Sequence, residues 1–460
     1  MPIDTPAWTA RLDRARFQAD PLADDTVDRI LVPWADTPES AAADDLARLH
    51  ADNWSRLGRV TRLMQEWQHN GALATWRAND PQLPAQANEA LEHYVHKARA
   101  LPAWAEPGRI ERAETTFFDY GPLSCVLLFC ASLPECYVLP DLSDVLHATG
   151  QLERHTEYRI RATGAMIFPV MMRGGLATPG GGGVAQVLKV RLIHATVRHL
   201  ILRGTPRAAL ERYGANERRP GLGAIPRLGA LAGLQQMHQA LFAHGWRLGD
   251  DGLPCNQADQ AYTLLTFGYV MLRGMRTLDQ RLPRADEADT LHAWNVMGHL
   301  AGIEDGLMVH TMDEAAELFE LMQSRGRSHP VATDVRPELG RALMSTMEDI
   351  IPLDVVKPFP RLLTRELIGA RSAGDIGIGG EAPLASRMFF TFLLEAAHVI
   401  DDLVRLVAPR FSLVRWLSHR LGYRFLTRVL MGQTRSLALP EHLMTRLTDQ
   451  LHAWRGGARP

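Results

Sequence analysis

A single imidazole sits at the centre of an apolar helical face in Lys189-Val190-Arg191-Leu192-Ile193-His194-Ala195-Thr196-Val197-Arg198-His199. The stretch follows four consecutive glycines, Gly180 to Gly183. Val187, Val190, Arg191, His194, Val197, Arg198 and Ile201 recur at helical spacing, with the arginines one turn to either side of His194. An iron porphyrin asks for such groups: an axial imidazole for the metal, an apolar wall for the macrocycle and guanidinium forks for the propionates. A histidine on an apolar face is also a common core residue, and spacing alone leaves both readings open.

Upstream, His155, Arg159 and Thr163 fall at i, i+4 and i+8, a polar stripe on a helix that turns apolar at Met166-Ile167-Phe168. Donors beside an apolar surface suit the open side of a metal site that holds oxygen next to an apolar substrate. A solvent-facing stripe has the same pattern. The glycine run lacks the Lys-Ser/Thr of a phosphate cradle and reads as a loop that lets two helices approach. Glu395-Ala396-Ala397-His398 is one Glu-x-x-His where a di-iron bundle needs two, and reads as a core histidine with a local partner. There is no nucleophile elbow, His-Glu-x-x-His or Cys–His protease signature. Tyr262, Thr263, Phe267, Tyr269, Met271, Met275 and Trp294 form stripes that read as core.

The elements that must position these groups are helical. From Ser40 onward Ala, Leu, Arg, Glu and Met dominate, and Gly or Pro punctuates the segments. Thr205-Pro206 opens one helix, closed by Gly214; Asn256 and Asp259 cap another toward Leu272; Pro383 opens a long apolar one toward Leu406. The reading is all-α: an extended arm at 1–40, helices at 41–105, a helical core carrying His194 at 106–330, and C-terminal helices at 331–460. At 411–431, Arg415, His419, Arg420, Arg424 and Arg428 interleave with apolar residues. That pattern fits a basic amphipathic helix on a membrane or apolar polymer, and equally the solvated face of a packed helix.

The 460 residues are 46% hydrophobic and 22% charged, a globular composition large enough for a substantial core. Fifty Lys and Arg against 52 Asp and Glu leave no whole-chain footprint for nucleic acid. Cys125, Cys130, Cys136 and Cys255 match no zinc spacing and read as free thiols in a reducing compartment. With no signal-like N-terminus and apolar runs at 123–133 and 389–394 too short to span a bilayer, the chain reads as soluble and cytoplasmic.

Taken in order, these pieces resemble the superfamily of latex-clearing proteins, rubber oxygenases and MpaB-type oxygenases. The resemblance is carried by Thr149-Gly150-Gln151-Leu152, Arg159-x-x-x-Thr163, the glycine loop, Val190-Arg191-Leu192-x-His194-x-x-x-Arg198-His199, Pro254-x-Asn256-Gln257-x-Asp259, Thr263 with Phe267, and Trp294-Asn295-x-x-Gly298-His299-x-x-Gly302-Ile303. It covers roughly 115–305. It implies a globin-like helical core with added N- and C-terminal helices and a b-type haem. His194 would be the iron's proximal ligand. Arg191, Arg198, His199 and Thr263 would support the haem or its propionates, and Arg159 and Thr163, with His155, would serve the distal side. The implied reaction is oxidative cleavage of a carbon–carbon double bond in an apolar alkene or isoprenoid by dioxygen. A non-catalytic haem sensor or carrier shares the ligand, and a cofactor-free helical scaffold associated with a membrane or partner is a third reading. The chain departs from latex-clearing proteins at Ala162, where they carry a distal Lys. Only Asp144 and Glu153 stand as candidates for their distal Glu, and 205–250 reads as an insertion.

Overall fold

The computed structural model describes residues 3–32, 43–148, 156–214, 224–227, 237–329, 333–349, 351, 354, 356–380 and 382–405. Its longer helices are α1 (Thr5–Ala15), α2 (Pro21–Ile30), α3 (Ala43–Gln65), α4 (Ala85–Ala98), α5 (Pro107–Leu127), α6 (Pro140–Ala148), α7 (Thr156–Met171) and α8 (Gly183–Leu202). They continue with α9 (Gln257–Thr277), α10 (Arg284–Leu300), α11 (Met312–Arg327), α12 (Arg336–Glu348), α13 (Phe359–Asp375) and α14 (Leu384–Arg405). Among the described residues the sheet is confined to Ala224–Ile225 paired antiparallel with Trp246–Arg247, so the all-α reading holds.

Local signals set the helix starts. Asn256 accepts from the Asp259 amide at the head of α9, which runs past the expected Leu272 to Thr277. Thr205 caps the helix Pro206–Gly214 through the Ala208 amide. Pro383 precedes α14.

The N-terminal segment corrects the sequence reading. Within 3–32, the described part of the expected extended arm at 1–40, the chain is helical: Asp4 and Asp20 cap α1 and α2, each followed by proline in the first turn. The inner face of α2 (Ala23, Val27, Ile30) is buried, and the helix packs on α4 and α8. One cluster of buried side chains runs from Leu12 to Ile378, so the described parts of the four sequence segments share a core.

α5 is kinked at Gly121 (φ 38°) beside Pro122 and passes through a π-helical turn, Leu128–Ser132, into Leu133–Cys136. The apolar run at 123–133 therefore belongs to a longer helix, Pro107–Cys136. That helix is long and apolar enough to cross a membrane, yet 72% of its most apolar window is buried inside the fold. It carries Cys125, Cys130 and Cys136, which with Cys255 are free thiols. The aromatic and Met stripe of α9 is core as expected: Phe267 stacks on Trp294 with ring centres 5.9 Å apart, and Tyr262 on Phe319 at 5.3 Å. On α14, Glu395 is exposed rather than core, while the side chain of His398 lies outside the described residues, as do 411–431.

Candidate functional site

The loop between α7 and α8 sets the site. A Cβ at Gly181 would lie 2.0 Å from the Gly174 carbonyl oxygen, and one at Gly183 would lie 2.9 Å from Val170 Cα. Only glycine allows this approach. The loop is pinned rather than loose. Asn70 donates to the carbonyls of Gly175 (2.8 Å) and Thr178 (2.9 Å) and accepts from the Val184 amide (3.1 Å). Buried Glu114 accepts from the amides of Gly174 (2.7 Å) and Leu176 (3.3 Å). Burial pushes the Glu114 carboxyl up to about 7, against the downward pull of these backbone bonds.

The turn makes α7 and α8 an antiparallel pair that meets where Gly183 touches Val170. On ideal, parallel axes, equal rise from that contact would put Thr163 level with Val190 and Arg159 level with His194. Ala162, Thr163 and Met166 of α7 are half-buried, as are Val190, Ile193, His194 and Thr196 of α8. The side chain of Arg159 and all of His155 lie outside the described residues.

The half-buried residues of α8, Arg191 among them, trace an arc with Arg191 and then His194 toward one edge and Ile193 and Thr196 toward the other. Nδ1 of His194 is itself buried. Such a surface can carry a flat apolar group ligated from one imidazole.

The two arginines expected beside that group point elsewhere. Arg191 grips Asp20 of the α2 cap with Nε and Nη2 at 2.5 and 2.7 Å, and Nη1 reaches the Leu300 carbonyl at 3.3 Å. Arg198, fully buried, donates to Asp24 (2.6 Å) and to the carbonyls of Pro254 (3.1 Å) and Cys255 (2.8 Å). His199 Nε2 lies 3.4 Å from the same Asp24 oxygen. The guanidinium donors of Arg191 and Arg198, expected at the propionates, are thus spent in this structure on α2, the Leu300 carbonyl and the 254–255 turn, whereas His199 Nε2 is buried without a hydrogen bond among the described residues. The Thr263 hydroxyl bonds back to the Asp259 carbonyl at 2.9 Å.

The motif Pro254-x-Asn256-Gln257-x-Asp259 is likewise a joint. Gln257 ties the Ala19 carbonyl (3.0 Å) to the Gly302 carbonyl (2.8 Å). Gly302 has φ +86°, and a Cβ there would lie 2.4 Å from Asp20 Oδ2, so a larger residue would displace the Asp20–Arg191 pair.

Sequence reasoning missed Asp20, Asp24, Asn70, Glu114, Gln186 and Lys189. Asp20-Pro21 carried a helix-start signal; Asp24, Asn70 and Glu114 are ordinary polar residues whose partners lie far along the chain, and Gln186 and Lys189 belong to no local motif. Among the described residues no three His, Cys, Asp or Glu side chains converge as a metal cage.

Comparison with known proteins adds three findings. Residues 227–400 match the family model described as ER-bound oxygenase mpaB/B'/Rubber oxygenase, catalytic domain; this span begins C-terminal to α8. A rubber oxygenase of Streptomyces sp. (strain K30) is 26% identical over 332 residues, 70% of this chain and 68% of the relative. The fold is similar to that of latex clearing protein in its closed state, with a TM-score of 0.55, 18% identity, and coverage of 96% of this chain and 90% of the other.

Proposed function

We propose, from the superfamily of latex-clearing, rubber and MpaB-type oxygenases that these three findings together support, that the protein is a haem b-dependent oxygenase cleaving a C=C bond of an apolar alkene or isoprenoid. The observation that carries the reading is the α7/α8 hairpin, closed at Gly183 against Val170, which joins a helix bearing the half-buried Ala162, Thr163 and Met166 to one bearing the half-buried Val190, Ile193 and His194. The residues fit the group: one imidazole, an apolar arc on either helix, and a buried polar atom on α8, Gln186 Nε2, with no partner among the described residues.

When bound, the haem would supply the redox chemistry that activates dioxygen. His194 would hold its iron. Val190, Ile193 and Met166 would line the macrocycle and exclude water, so that charge in the pocket is felt strongly. Arg159 would face charge developing on oxygen, with Thr163 as a further donor and His155 as another candidate. Ala162, small where latex-clearing proteins carry Lys, leaves room on the distal side. The reaction balances without an external reductant: the C=C bond breaks, two carbonyls form, and both oxygen atoms come from dioxygen. A cytoplasmic site of action belongs to the same proposal.

Short oligoisoprenoids incubated aerobically with the haem-loaded protein should give aldehyde or ketone fragments labelled from oxygen gas. Arg159→Ala should slow their formation by about two orders of magnitude if its guanidinium stabilises developing charge. A haem-loaded protein that yields no labelled carbonyl across a broad alkene panel, yet binds carbon monoxide reversibly, would instead be a sensor or carrier.

A further inference from the structure

Charge on α8 does not balance. The helix carries three cations of the Lys/Arg type, and two of them, Arg191 and Arg198, are neutralised by Asp20 and Asp24. The third, Lys189, is only 7% exposed and makes no hydrogen bond or ion pair among the described residues. Burial alone pulls its ammonium down to about 8, with no carboxylate to hold it up. One turn toward the N-terminus, Gln186 is 3% exposed, and its Nε2 likewise has no partner. Gln186 Nε2 is fully buried, whereas the Lys189 ammonium keeps a little contact with solvent; a largely desolvated cation and a buried amide donor each cost free energy until something accepts from them.

These two donors sit where a bound group would end. Gln186 lies in the same arc as Val190, Ile193 and His194; Lys189 flanks that arc on the edge away from His194. Their Cβ atoms are helical i, i+3 neighbours, roughly 5–6 Å apart. A flat ligand held by His194 and laid across the arc would bring its rim toward them. An anionic, acceptor-rich rim satisfies both: a carboxylate takes the ammonium's charge and an amide N–H at once.

We infer that Lys189 and Gln186, rather than Arg191 and Arg198, anchor the carboxylates of the bound porphyrin. The inference rests on the haem reading above and adds to it the residues that hold the cofactor's charged edge. Lys189 and Gln186 are binding residues only; neither is placed in the chemistry.

The test uses the full chain and two ligands that differ only at the carboxylates: haem b and haem b dimethyl ester. Affinities come from Soret titrations of the apoprotein, and loss rates from capture of released haem by excess apomyoglobin. The wild type should bind free-acid haem roughly tenfold to a hundredfold more tightly than the ester. Lys189→Met should lose about tenfold in affinity for the free acid and little for the ester. Lys189→Met/Gln186→Leu should bind the two alike. Lys189→Arg, which keeps the charge, should restore part of the preference. The inference is overturned if Lys189→Met binds free-acid haem like the wild type, or if it loses equally for both ligands, since equal loss marks a packing role. Failure of the haem reading shows separately, as a wild type with no Soret band for either ligand.

Discussion

The side chains that give α8 its cationic character have three different fates. Arg198 spends its guanidinium on Asp24 and two carbonyls, Arg191 on Asp20 and the Leu300 carbonyl, and Lys189 on nothing in the described protein. Spacing placed both arginines near His194, correctly. It could not say that they lie on the flank that meets α2, because their carboxylate acceptors are more than 170 residues away. Asp24→Ala should therefore cost about 3–5 kcal/mol, since it strands a fully buried guanidinium. Pairing it with Arg198→Met should recover much of that loss in urea unfolding. A single variant within about 1 kcal/mol of wild type would show that Asp24 does not hold Arg198. Lys189 makes a prediction of opposite sign. Its folded pKa, about 8, lies below the ordinary 10.5. Between those values the unfolded chain binds more protons, so the apoprotein should gain stability as pH rises through that window. Lys189→Met should abolish the gain and be the more stable apoprotein at pH 7, by about 1–3 kcal/mol. Parallel pH profiles for the two proteins would contradict this.

Among the elements, the α7/α8 hairpin does the positioning, and its parts were unequally legible. The glycines announced a close approach of two helices, and the approach is there. What fixes the loop, Asn70 and Glu114, was not legible, because neither residue belongs to a local motif and both act through backbone groups far along the chain. A cap followed by proline could be read at Thr205-Pro206 and a cap alone at Asn256; the cap-and-proline signal at Asp20-Pro21 was outweighed by the Asp-, Pro- and Thr-rich composition around it. Glu114 gives the hairpin a pH dependence. Its folded pKa, about 7 against an ordinary 4.5, means that the folded state binds more protons between those values. Its contribution to stability should thus fall as pH rises from 4.5 to 7. Glu114→Gln, which keeps an acceptor for the Gly174 amide without the buried charge, should flatten that slope in thermal melts at pH 5 and pH 7. An unchanged slope would move the effect to another group.

At the scale of the whole molecule, the N-terminal helices brace the site rather than trail from it. α2 supplies Asp20 and Asp24 to α8, Gln257 holds the Ala19 carbonyl, and Gly302 makes room for the Asp20–Arg191 pair. Removing residues 1–31 should leave two buried arginines without carboxylates, and a protein that neither melts cooperatively nor retains a cofactor. A truncated chain with wild-type melting would refute the brace. The all-helical architecture was readable because helical periodicity is local. The sharing of one core between the first helices and α13 was not, since it is decided by contacts distant in sequence. The proposed function turns on His194, and the most direct measurement is an absorption spectrum of the purified full-length protein beside His194→Ala. The wild type should show a Soret band, and the variant should lose haem while keeping its helical circular dichroism. A wild type without a Soret band, or a His194→Ala protein with full haem occupancy and an unchanged band, would contradict His194 as the residue that holds the iron.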